Sequence, residues 1–185
     1  MPDRSHALDP VEFVRTHTTV APVPFVEELR LHQASDPFLL WETTERDLAA
    51  RGIALPYWAF PWAGGTALAA YLLDHPHEVQ GRRVLDLATG SGLVAIAAAR
   101  AGANEVIAND IDPIALAAVA LNAALNDVAI RTLTADLLDT PDHPALAHIE
   151  VALAGDVAYE RPMARRLDVV AVGIDDEPDC RANPL

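Results

Sequence analysis

One stretch, VLDLATGSG at residues 84–92, restricts the architecture more than anything else in the chain. A short apolar run reaches Asp86 and Leu87, and only small residues follow: Ala88, Thr89, Gly90, Ser91 and Gly92. Such a turn lets backbone approach a ligand closely, and the helix after it aims its N-terminal amides the same way. That helix is GLVAIAAARAGA, stopping at Gly102, and a second apolar run, EVIAND, comes directly after it. Strand, glycine turn, helix and strand in this order form a βαβ unit, which requires parallel strands.

The alternation then continues. DPIALAAVALNAALND reads as a helix with Asp112 as its cap and Pro113 at the first helical position. IRTLTAD and IEVALAGD supply a third and a fourth strand. Both helices are apolar nearly all round, as helices packed on a parallel sheet are. A doubly wound, Rossmann-like α/β fold is the expectation.

Before this unit the chain reads differently. Residues 1–24 look like a loose, proline-bearing lead-in with one helical stretch at 10–16, and residues 25–53 are mixed, with a helix around 39–51 that stops at Gly52. LPYWAFPWAGG (55–65) is an aromatic loop punctuated by prolines, and TALAAYLLDHP (66–76) is a helix. The division expected is an N-terminal helical extension and covering loop at 1–65, the α/β domain at 66–174 with DVVAVGI (168–174) as a fifth strand, and an irregular tail at 175–185.

A chain of 185 residues suits one domain. Its net charge of −14 repels phosphate backbones, so no nucleic-acid partner is expected, whereas a cationic partner is attracted. No apolar run is long enough for a membrane span, and the first ten residues lack the apolar core of a secretory signal. Cys180 is the single cysteine, and a cytoplasmic setting is expected. His75 and His77 lie in a proline-flanked loop without further ligands, so no metal site is expected.

The acids narrow the ligand. Asp86 beside the turn would repel a pyrophosphate, but it suits a ligand carrying a cationic amino group. Asp110, ending the second strand about twenty residues on, is placed to take ribose hydroxyls. Asp136, ending the third, either accepts from the amine of an adenine or caps the turn DLLDTPD. S-adenosylmethionine has the ammonium, the ribose and the adenine, plus a sulfonium. Asp86, Ala88, Gly90, Gly92, Asp110 and Asp136 are therefore the candidate cofactor residues.

Four segments together, LPYWAFPWAGGTALAAYLL, VLDLATGSGLVAIAAARAGA, ANDIDPIALAAVALNAALN and LAGDVAYERPMA, resemble the bacterial relatives of the electron-transfer-flavoprotein β-subunit lysine methyltransferase. These belong to the seven-strand class I methyltransferases and often carry the label of predicted nicotinamide N-methyltransferases. The resemblance covers residues 13–167. It implies that Trp58, Trp62, Gly64 and Gly65 close over the cofactor, and indole is the best ring to place near a cation. Tyr57 and Phe60 are expected in the core. It also implies that GDVAYE (155–160) meets the substrate, with Asp156, Tyr159 and Glu160 as candidate catalytic residues that orient a lysine amine. The implied partner is a protein with accessible lysines, such as the electron transfer flavoprotein β subunit.

Two departures from the family stand out. Ala158 replaces the usual phenylalanine before the tyrosine, and DVVAVGIDDEPDCRANPL does not match the family's longer continuation. The sheet is therefore expected to be abbreviated at its C-terminal side. The alternatives are a small-molecule N-methyltransferase and a cofactor-binding protein without turnover.

Overall fold

The computed structural model describes residues 8–157, apart from 38, 43, 46–54 and 141. Asp9 starts the first helix, α1 (Pro10–His17), by accepting from the amides of Val11 and Glu12 at 2.9 and 3.4 Å. Strands β1 (Thr18–Val23) and β2 (Val26–Ala34) follow and pair antiparallel, with Thr18 opposite Ala34 and Val23 opposite Val26. This hairpin corrects the expectation of loose or mixed chain. Two features hide it in the sequence. Its register shifts between Pro22 and Val23, and the buried residues of β2 (Val26, Leu29 and Leu31) break strict alternation. Phe25 closes the turn at a φ of 65°, a left-handed backbone that phenylalanine rarely adopts.

The described residues from 37 to 45 are helical, with the Asp36 carboxylate accepting from the Leu39 amide at 3.0 Å. The rest of that expected helix, 46–54, lies outside the described residues. After a single 3-10 turn at Tyr57–Ala59 comes α2 (Ala63–Asp74), which begins ahead of the expected residue 66.

The four expected strands are all present: β3 (Arg83–Leu87), β4 (Glu105–Asp110), β5 (Arg131–Thr134) and β6 (Val151–Leu153). Helix α3 (Leu93–Arg100) joins β3 to β4, and α4 (Pro113–Leu125) joins β4 to β5. The strands are parallel in the order β5-β4-β3-β6, with Asp86 in register with Ala108 of β4 and Leu153 of β6. Successive residues of β3 serve opposite faces. Val84 packs with Val94, Ala97 and Val119 beneath the helices, while Leu85 joins Ile107, Leu137 and Ile149 on the other side. Among the described residues that second face is covered by the segment around the 3-10 turn Pro144–Leu146. The fifth strand expected at 168–174 and the tail lie outside the described residues.

Alanine explains the tightness of the helical layer. Ala95, Ala97 and Ala98 are wholly buried, and with no side chain beyond Cβ they let α3 lie close to both neighbours. At the head of α3, a Cβ on Gly92 would come within 3.1 Å of Val119 Cγ2.

Two asparagines one turn apart, Asn122 on α4 and Asn126 at its C-cap, bind the hairpin to this layer. Asn122 Oδ1 accepts from the His32 amide at 2.7 Å, and its Nδ2 donates to the Ser91 carbonyl at 2.8 Å. Asn126 Oδ1 accepts from the Arg30 amide at 3.1 Å, while its Nδ2 donates to the Arg30 carbonyl at 2.7 Å. The side-chain amides act as a substitute strand along the outer edge of β2. Leaving one such buried group without a partner costs about 1–3 kcal/mol.

Candidate functional site

Parallel strands bring Asp86, Asp110 and Asp156 to one edge of the sheet, beside the point where strand order reverses. Asp86 is 1 % exposed. Its Oδ2 accepts from the Thr89 hydroxyl and, at 3.0 Å, from the Ala95 amide in the first turn of α3. One carboxylate oxygen thus holds both the glycine turn and the helix that follows it.

Asp110 meets that turn from the neighbouring strand. Its Oδ2 accepts from the Gly90 amide and its Oδ1 from the Asp112 amide, both at 3.0 Å. The Thr89 amide donates to the Asn109 carbonyl at 2.9 Å, so the turn is pinned twice to the end of β4. The turn itself runs through positive φ at Ala88 (51°), Gly90 (54°) and Gly92 (82°). Ala88 alone has a Cβ there, which costs about 1 kcal/mol.

Burial pushes the Asp86 carboxyl up to about 7; the Thr89 and Ala95 hydrogen bonds oppose the shift and the Asp110 charge adds to it. Burial also raises Asp110, against the amides that donate to it. Among the described residues neither acid has a basic side chain as a hydrogen-bond partner. Two adjoining acids, one buried and one half-buried, without a basic partner favour a cation beside them and disfavour a phosphate.

Asp112 caps α4, as expected, through the Ile114 amide at 2.8 Å. Asp136 is exposed, and its Oδ1 accepts from the amides of Leu138 and Asp139 at 3.1 and 3.2 Å, which is the turn-capping arrangement. Tyr159 and Glu160 lie outside the described residues.

The aromatic loop divides its rings. Trp58 is buried against Phe13, Ile114 and Ala118, and its Cα lies 3.8 Å from where a Cβ on Gly90 would be. The loop therefore rests on the glycine turn through Trp58. Tyr57 was expected in the core, but it is 49 % exposed; Trp62 is 43 % exposed. Tyr57 and Phe60 contact Trp41 and Trp62 at centroid distances of 5.6–6.3 Å, and Trp62 Nε1 donates to the Tyr57 carbonyl at 2.8 Å. With one ring already sunk in the core, the others meet each other edge-on or tilted toward the surface.

Asp156 is placed differently from a residue reaching toward substrate. Its Oδ1 accepts from the Gly64 amide at 3.0 Å and its Oδ2 from the Gly65 amide at 2.5 Å. The carboxylate thereby caps the N-terminus of α2, which is why the glycine pair starts that helix instead of ending the loop.

Sequence reasoning passed over three polar residues that hold the site. Thr89 donates to Asp86; Asn109 Nδ2 donates to the Leu133 and Ala135 carbonyls at 3.0 and 2.9 Å; Asn122 anchors Ser91. An amide side chain inside an otherwise apolar strand or helix was the available signal.

Comparison with known proteins follows the same geometry. A solved structure of the T. thermophilus 16S rRNA methyltransferase, in complex with AdoMet and guanosine, superposes with a TM-score of 0.55 at 18 % identity, covering 84 % of this chain and 38 % of that one. The fold is the Rossmann-like one of class I methyltransferases. The family described as Ribosomal protein L11 methyltransferase matches residues 64–154. The human electron transfer flavoprotein beta subunit lysine methyltransferase is 58 % identical over 113 residues, 60 % of this chain and 42 % of its own length. Its Caenorhabditis elegans homolog is 36 % identical over 162 residues, 82 % of this chain and 65 % of its own. The motif-level resemblance thus extends to similarity over 60–82 % of this chain. The chain spans about half the length, or less, of the vertebrate relatives it matches.

Proposed function

We propose that this chain binds S-adenosylmethionine and methylates amines, with lysine side chains of a protein as the acceptor. One observation carries the cofactor: buried Asp86 and half-buried Asp110, an uncompensated pair clasping a glycine turn at a switch point. Both acids fit a ligand with an ammonium and a ribose. S-adenosylmethionine, when bound, supplies an electrophilic methyl on a sulfonium.

The chain's own residues bind and orient. Asp86 favours the ammonium, Asp110 the ribose hydroxyls, and the turn from Ala88 to Gly92 offers close backbone. An acceptor amine must reach the site neutral, and apolar surroundings promote loss of its proton. Positioning then accounts for most of the acceleration in a displacement of this kind. The lysine assignment is supported by the relatives' printed activity and by the net charge of −14, which attracts a basic surface. The electron transfer flavoprotein β subunit is the first acceptor to try, and a cytoplasmic setting is proposed with it.

Calorimetry with S-adenosylmethionine against NAD tests the cofactor. Binding of the former, lost by tenfold or more in Asp110→Ala, is expected; binding of NAD instead overturns the reading. Labelled cofactor then tests the acceptor. All thirteen basic side chains of this chain are arginines, so any methyl-lysine detected belongs to the partner. Label on free amines or pyridines, and none on proteins, would replace lysine by a small molecule.

A further inference from the structure

Asp156 stands at the end of the sheet where an amine-orienting acid was expected, yet both its oxygens face a helix. The approach is closer than ordinary packing permits for any residue but glycine. A Cβ on Gly64 would lie 2.7 Å from Asp156 Oδ1 and 2.9 Å from its Cγ. A Cβ on Gly155 would lie 3.0 Å from the Cα of Gly65 and 3.2 Å from its nitrogen. Two glycines, Gly64 and Gly155, therefore make room for one carboxylate and its backbone. Trp62 immediately precedes the capped turn; its carbonyl accepts from the Thr66 amide at 2.9 Å and the Thr66 hydroxyl at 2.8 Å. Its indole holds Tyr57, and Trp58 lies over Gly90.

We propose that Asp156 is a positioning residue, a latch that ties the chain after β6 to the start of α2 and so sets the aromatic loop over the cofactor turn. The inference rests on the cofactor reading given above. It assigns to Asp156 an effect on cofactor affinity, exerted through Gly64, Gly65 and Trp62, in place of contact with the acceptor amine. A carboxylate suits this post because two helix amides converge on it and the positive end of the helix favours its charge.

The tryptophans provide a direct readout, since all three (Trp41, Trp58 and Trp62) lie in this loop or against it. In Asp156→Ala without cofactor, acrylamide quenching of tryptophan emission should rise about twofold, and S-adenosylmethionine affinity should fall about tenfold. Asp156→Asn keeps one acceptor oxygen and should recover most of both. Gly64→Ala displaces the carboxylate by crowding and should reproduce the Asp156→Ala result, with the double variant no worse than either single one. These two carry the test if Asp156→Ala does not fold. The proposal is overturned if Asp156→Ala keeps wild-type quenching and cofactor affinity while only the KM for the amine or kcat changes. Should wild-type protein bind no S-adenosylmethionine, the functional reading fails, and the cofactor-free quenching still decides the latch.

Discussion

Two carboxylates at strand ends, Asp86 and Asp156, each cap the start of a helix, and they do so under opposite conditions. Asp86 reaches Ala95 of α3 nine residues away and is sealed from water. Asp156 reaches Gly64 and Gly65 across 92 and 91 residues and remains exposed. The same hydrogen-bond chemistry thus carries a large desolvation cost at one end and little at the other. A costly buried acid persists where a ligand can repay it; an exposed one serves where only geometry is needed. That contrast fits the cofactor role proposed for the first and the latch role proposed for the second.

The largest effect expected on this contrast concerns pH. The folded state raises Asp86 from 3.8 to about 7, so its contribution to stability is full below pH 3.8 and lost as pH rises through 7. Three pH units correspond to about 4 kcal/mol. Urea unfolding of Asp86→Asn at pH 5 and 8 should show most of that slope gone, while cofactor affinity falls about 50-fold. A slope equal to wild type would remove the distinction between the two acids.

Crowding probes the other end. Gly155→Ala sets a Cβ against the backbone of Gly65, which cannot swing aside as a side chain would. A loss of about 2 kcal/mol is expected in urea unfolding, and an unchanged midpoint would mean the two segments are not interlocked. The smallest effect is a gain. Ala88→Gly relieves the positive φ of the turn and should stabilise the protein by about 0.5–1 kcal/mol, read as a rise of a few degrees in Tm.

What the sequence discloses follows the distance between partners. β3, the glycine turn, α3 and β4 are contiguous, each with its own period or breaker, and Asp86, Gly90 and Asp110 were legible as one site. Asp112 was legible for the same reason: its partner is Ile114, two residues on. The hairpin was not, because Pro22 and the register shift erase alternation and its outer edge is satisfied by Asn122 and Asn126. Nor was the latch: nothing near Asp156 in the chain announces Gly64. Tyr57 was misplaced in the core because an aromatic side chain states its appetite for burial but not which of four neighbours is buried first.

The asparagine clamp also has a consequence in time. His32 leaves the ribosome 90 residues ahead of Asn122, the side chain that completes its hydrogen bonding. At about 5–20 residues per second, the edge of β2 waits roughly 5–18 s during synthesis before its partner exists. The hairpin cannot be finished in the order in which it is made, and the outer edge of β2 must be satisfied by water or a chaperone until Asn122 and Asn126 emerge.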